Sequence, residues 1–228
     1  MTPTDRLGAR LPRRFADRAE AGRALAAALG HRAGGDDVVV LGLPRGGVPV
    51  AREVAVALGA PLDVFVVRKL GVPGHAELAM GAIATGGVRV LNPGVLSSLA
   101  VSAEAIEEVV AREAVELDRR QRLYRGDRRF PDIAAKVVIV VDDGLATGAT
   151  MRAAVQAVRS FGSERGTGPE RVVAAVPVGA ASTCRQLARV ADEVVCVRSP
   201  VPFEAVGRWF VDFTPPTDAE VRRLLDSG

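Results

Sequence analysis

Aromatic side chains are scarce in this sequence, at 4% of 228 residues with one Trp and one Tyr. A core of that composition is built mainly from Ala, Val and Leu, which suits a parallel sheet covered by helices. The two cysteines, Cys184 and Cys196, are too few for a disulfide framework or a zinc site, and are expected as packed, reduced thiols in a reducing compartment. No apolar run approaches the roughly 20 residues needed to span a bilayer. Met1–Arg14 contains Pro and several charges but no signal-peptide core, so the expected location is cytoplasmic. Charge of one sign is also lacking: 30 basic residues face 27 acidic ones, for a net +3. The Arg residues are scattered, whereas a non-specific nucleic-acid binder wants a dense stripe; a phosphate-rich small ligand fits the pattern as well.

What is present is enough apolar material, 48% of the chain, for one large α/β domain with a small appendage. Phe15–Leu29 reads as a helix stopped by Gly30. Val38–Leu43, Leu62–Val67, Lys136–Val141, Val172–Val176 and Glu193–Val197 read as buried strands. Helices are expected at about Val48–Leu58, from the loop after Val141 to about Ser160, and at Ala180–Val190. The longest, Ser102–Arg122, has an acidic start and a basic end that complement its dipole, and an apolar stripe of Ile106, Val109, Val110 and Leu117. Arg68–Ala79, with Gly71, Pro73 and Gly74, reads as a mobile loop. Ala82–Ala84 and Val88–Leu91 read as a hairpin, and Ser163–Glu170 as a surface connection. This alternation predicts an α/β fold with an open, mostly parallel, doubly wound sheet. No internal repeat or low-complexity segment interrupts it. Residues 1–199 are expected to form the core, N-terminal helix included. Residues 200–228 form an appendage of the same domain, with Phe203, Trp209, Phe210 and Phe213 clustered before a short helix at Thr217–Leu225.

The chemistry concentrates in VVIVVDDGLATGATM, Val137–Met151. Asp142 and Asp143 follow the strand, and in open parallel sheets ligands bind beyond the strands' carboxyl ends. Adjacent carboxylates there can accept hydrogen bonds from a vicinal diol such as the 2- and 3-hydroxyls of ribose. Gly144 permits a sharp turn. Ala146, Thr147, Gly148, Ala149 and Thr150 then open a helix with bare backbone N–H groups and two hydroxyls, a setting for phosphate. No Gly-Lys-Ser/Thr follows the glycines, which excludes a P-loop.

This segment resembles the phosphoribosyl pyrophosphate (PRPP) motif of type I phosphoribosyltransferases. The likeness implies that Asp142 and Asp143 hold the ribose hydroxyls and Ala146–Thr150 the 5-phosphate. Pro44-Arg45-Gly46-Gly47, after the first core strand, looks like the family's pyrophosphate loop: the glycines allow close approach and Arg45 brings a donor fork. Arg68 and Lys69 begin the loop that in the family closes over the reacting centre, where they would add charge to the pyrophosphate; the alternative is a solvated basic pair. His75 is given no role. The cluster around Trp209 and Phe210 resembles the family's base-covering hood, the alternative being a mini-core for the last helix. The family's 6-oxopurine members usually carry an Asp where this chain has Ala146, so the loop looks nearer the adenine or orotate type.

The resemblance implies transfer of 5-phosphoribosyl from PRPP to a nitrogen nucleophile, with Mg²⁺ accompanying PRPP; dimers are frequent in the family. Two other readings stay open at this level. One is a PRPP- or nucleotide-binding regulator on the same fold, although the first 35 residues are short for a DNA-reading module. The other is a phosphatase or phosphotransferase using Asp142 as nucleophile.

Overall fold

A computed structural model describes residues 13–32, 37–161 and 167–226. Most of Met1–Arg14, and residues 163–166 of the expected surface connection, lie outside them. In chain order the elements are α1 (Arg18–Ala28), β1 (Val38–Gly42), α2 (Gly47–Leu58), β2 (Leu62–Val64), β3 (Val67–Val72), β4 (His75–Ala84) and β5 (Val88–Leu91). There follow α3 (Pro93–Ser98), α4 (Ala103–Arg125), β6 (Val137–Val141), α5 (Ala149–Ser160), β7 (Arg171–Val178), α6 (Ala181–Leu187), β8 (Glu193–Arg198) and α7 (Asp218–Asp226).

The main sheet has five parallel strands in the order β2-β1-β6-β7-β8. Its strands carry apolar side chains on both faces, as a sheet covered twice requires. Val39, Leu41, Val138, Val140, Val172 and Ala174 pack toward α5, whereas Val38, Val40, Ile139, Val141, Val173 and Ala175 pack toward α2 and α1. The doubly wound expectation therefore holds. α1 starts three residues later than the periodicity indicates, because Asp17 caps it by accepting from the Glu20 N–H. Phe15 is left extended and bridges to Phe210.

The expected mobile loop is instead ordered structure. β3 and β4 form an antiparallel pair that turns at Pro73–Gly74, and β5 completes a three-stranded sheet. The apolar alternation of Leu70 and Val72, joined by Met80 and Ile83, buries one face against Val109, Leu117 and Tyr124 of α4. Gly and Pro serve the turn and the irregular register near Gly71. α4 begins at its Ser102 cap as expected and runs on to Arg125. Helix α3 has no counterpart in the sequence reading; of its six residues only the adjacent Val95 and Leu96 are partly buried, so no apolar period marks it.

Asp63 of β2 and Arg125 of α4 form a buried ion pair at 2.9 Å, with Arg125 also donating to the Val64 carbonyl. This joins α4 to the edge of the main sheet. At the other end Phe15, Phe210 and Phe213 stack in tilted pairs, with centroids 5.6 and 4.9 Å apart, against Ala21 and Val178. The C-terminal segment is thus pinned to the N-terminal one. Both cysteines are free.

Candidate active site

Strand order places the two motif loops side by side. β1 pairs in register with β6, Gly42 opposite Val141, while β1's other neighbour is β2. The chain therefore leaves β1 in one direction and reaches β6 in the other, and a crevice opens between their carboxyl ends. Into it run Pro44–Gly47 after β1 and Asp142–Thr150 after β6, although nearly a hundred residues separate them in the chain. The Leu43 N–H donates to the Val141 carbonyl at 2.9 Å and locks the two strand ends together.

The glycines of the first loop fit under the acids. A Cβ on Gly46 would collide with the Asp143 carboxylate, and one on Gly47 would lie 2.6 Å from the Val141 oxygen. The Pro44–Arg45 peptide is cis. The Gly47 N–H donates to Leu43 O at 2.9 Å. Arg45 is exposed, and its nearest acid, Asp218 of α7, stands at 3.9 Å, the outer limit of an ion pair. It is free to turn toward an anion.

The acids differ from one another. Asp142 accepts from the Asp143 N–H at 2.9 Å. Its carboxyl is pushed well above the ordinary range, first by burial and then by the neighbouring Asp143 charge. Asp143 is also raised by burial, but the Arg18 guanidinium opposes the shift. Arg18 Nε and Nη2 both lie 2.8 Å from Asp143 Oδ2. Arg18 is the residue that the sequence reading missed. It opens α1, some 120 residues from its partner, and nothing in the local pattern marks it.

The second loop is held from both sides. Leu145 N–H donates to Val178 O, Ala180 N–H donates to Leu145 O, and Thr183 Oγ1 donates to Ala146 O at 2.7 Å. Gly148, with φ +72°, enters α5 from the left-handed region, and a Cβ there would strike the Thr183 methyl. No side chain caps α5, while Ala146, Thr147, Ala149 and Thr150 are exposed. The first-turn N–H groups and two hydroxyls are therefore open to an anion.

The structure separates the expected basic pair. Alternation along β3 turns Arg68 toward α4, where it binds Glu113 Oε2 at 2.6 and 3.0 Å. In this structure its donors are therefore engaged with α4. Lys69 faces the other way and lines a cavity of about 460 Å³ shared with Ala149 and Thr150. The hood divides similarly. Phe210 is fully buried among Phe15 and Phe213, so it has no face for a planar ligand and is a core residue. Trp209 is half-buried, and its Nε1 has no partner among the described residues. Val206 of the hood presses on Gly144, so the hood rests on the acidic loop.

No group of three or more His, Cys, Asp and Glu side chains that suits a metal exists among the described residues. Among the described residues there is thus no side-chain cage for Mg²⁺. What the crevice offers is two carboxylate acceptors, an uncapped helix start and the cation Arg45; Lys69 lines the neighbouring cavity beside α5, with its Nζ 3.4 Å from the Glu77 carbonyl. No described helix is long and apolar enough to cross a membrane.

Fold and crevice together define an open, doubly wound α/β protein with a crevice beyond its strand ends. The Phosphoribosyl transferase domain family matches residues 16–207, and the chain belongs to that family. Two curated Mycobacterium tuberculosis proteins, from strains CDC 1551 and H37Rv, are each provisionally named a phosphoribosyl transferase. They are 49% identical over 213 residues, 93% of this chain and 46% of theirs. The chain spans about half the length of these curated relatives. The crystal structure of TT1426 from Thermus thermophilus is 43% identical, has a TM-score of 0.79, and is matched over 93% of this chain and 97% of that one.

Proposed function

We propose that this chain transfers the 5-phosphoribosyl group of PRPP to a nitrogen nucleophile, releasing pyrophosphate. The observation that carries the reading is the packing of Gly46 against Asp143, which sets a pyrophosphate-type loop, a diol acceptor pair and an uncapped phosphate-type helix start around one crevice. Asp142 and Asp143 accept the ribose hydroxyls. Ala146–Thr150 receive the 5-phosphate, with Lys69 at the edge of the same space. Arg45 and the Gly46 backbone face the pyrophosphate. The nucleophile's nitrogen forms a bond to the anomeric carbon as the bond from that carbon to the pyrophosphate oxygen breaks, its electron pair leaving on pyrophosphate. Positive charge grows on the sugar near the two carboxylates and negative charge near Arg45, so catalysis rests on positioning and electrostatics. Mg²⁺ on the substrate would neutralise part of the pyrophosphate charge. Trp209, the half-buried aromatic of the hood, is the residue proposed to meet a planar acceptor.

Calorimetry with PRPP and Mg²⁺, followed by pyrophosphate release against a panel of nucleobases and other amines, tests the reading. Binding with turnover on one acceptor is expected. Tight binding without turnover on a broad panel would make the chain a PRPP-sensing regulator, and no binding would remove PRPP as its ligand.

A further inference from the structure

Arg18 has more contacts than an ion pair needs. Its Nε and Nη2 take Asp143 Oδ2 at 2.8 Å, its Nη1 takes the Thr214 carbonyl at 2.8 Å, and its guanidinium lies 4.0 Å over the Phe213 ring. The side chain is about nine-tenths buried. One group thereby joins α1, the hood and one carboxylate of the crevice. A guanidinium so placed is planar, fixed and always charged, and its fork of donors is something a lysine at the same place would not reproduce.

We infer that Arg18 is a positioning residue that keeps Asp143 ionised and aimed, and that ties its readiness to the seating of the hood. The inference rests on the ribose-binding reading above and deepens it. Both guanidinium bonds fall on Oδ2, so Oδ1 is the oxygen left for a ligand hydroxyl. A carboxylate accepts from both hydroxyls of a diol, whereas a protonated acid must spend one oxygen as a donor. Two adjacent buried carboxylates resist double ionisation, and Arg18 is the cation that counters this for both acids. The other groups beside Asp143 are Asp142 from its own loop and the uncharged Gly46 from the pyrophosphate-side loop, while from the hood the uncharged Phe213 and Thr214 touch Arg18. Asp212 of the hood also feels the Arg18 charge. Because Phe213 and Thr214 hold Arg18 from behind, displacement of the hood would loosen the acid as well as uncover the crevice.

The sign follows. Binding needs the ionised pair, so affinity falls as pH drops through the pair's elevated titration. Without Arg18 that titration moves higher and the fall begins at a higher pH. The test compares wild type, Arg18→Lys and Arg18→Met in PRPP calorimetry from about pH 5.5 to about pH 9. The ionisation of PRPP itself cancels between variants at one pH. The Met variant should bind about tenfold or more weakly near pH 7 and recover toward wild type at alkaline pH. The Lys variant, which keeps the charge without the fork, should fall between. Carboxyl-carbon NMR titration of the ligand-free proteins gives a readout independent of PRPP, and an upward shift for the Asp142–Asp143 pair is expected in the Met variant. A loss of equal size at every pH, or an unmoved carboxyl titration, overturns the inference. If wild type fails to bind PRPP at any pH, the functional reading falls and the carboxyl titration alone decides Arg18. Should the Met variant not fold, the Lys variant decides by the same two readouts, with wild-type behaviour in both counting against the inference.

Discussion

Asp142 and Asp143 are neighbours in sequence but not equivalents in energy. Asp143 has Arg18 bonded to it, while Asp142 is partly buried with a backbone donor, a like charge close by and Arg18 only as the weakest opposing influence. A carboxyl with a raised folded pKa favours folding while it is protonated. That contribution is full below its ordinary value of 3.8 and is lost as pH climbs through the raised value. At neutral pH, therefore, Asp142 opposes stability. Asp142→Asn keeps an oxygen for the Asp143 N–H and removes the repulsion. It should raise stability at pH 7 by about 1–2 kcal/mol, an increase that shrinks as pH is lowered toward 4, and should weaken PRPP binding. Asp143→Asn should do the opposite to stability, because it strips the charge from Arg18's buried partner. Thermal melts of both variants across this pH range check the pair; a destabilised Asp142→Asn at neutral pH contradicts the account. The residue scale was half legible. Two acids after a buried strand could be read from the pattern, but the cation that distinguishes them could not, since Arg18 reaches them only through tertiary packing.

At the scale of elements, the sheet and helices were read nearly as they stand, because their apolar periods are long and clear. The segment after β2 was not. Gly71, Pro73 and Gly74 signal a break, and the sequence does not say whether the break is a loop or the turn of a hairpin. Burial of Leu70, Val72, Met80 and Ile83 against α4 decides for the hairpin, and the strand alternation that follows sends Arg68 to Glu113 and Lys69 to the opposite face, beside the start of α5. The long α4 that backs this sheet is fixed at its far end by Arg125 and Asp63. Burial raises the Asp63 carboxyl while Arg125 pulls it back, so removing the cation leaves an unpaired buried acid. Arg125→Met should cost about 3–5 kcal/mol, and adding Asp63→Asn should return much of it. Urea melts of the single and double variants give the coupling; additive losses would mean that the two side chains do not act together.

For the whole molecule, the segment before α1 and the segment before α7 close on each other. Phe15 and Phe210 bridge, Phe213 stacks on Phe210, and Arg18 sits under Phe213. The aromatics that suggested a hood thus serve two ends, Phe210 as core and Trp209 as the half-buried candidate contact. Phe210→Ala should destabilise the protein by about 3–5 kcal/mol, as a fully buried aromatic does. Trp209→Ala should cost less, because its indole N–H is already without a partner, and should act mainly on the acceptor's KM. Melting midpoints with steady-state kinetics separate the two; a larger stability loss at Trp209 would reverse their roles.

The doubly wound sheet, the acid pair and the small-residue helix opening were legible in the linear chain, because each is written in contiguous residues whose period or spacing has one physical use. Which strand lies beside which emerged on folding, and with it that Gly46 packs on Asp143, that Arg18 holds Asp143, and that Arg68 pairs with Glu113 of α4. These depend on distances between residues far apart in the chain, and a linear pattern carries no information about which of its distant parts will meet.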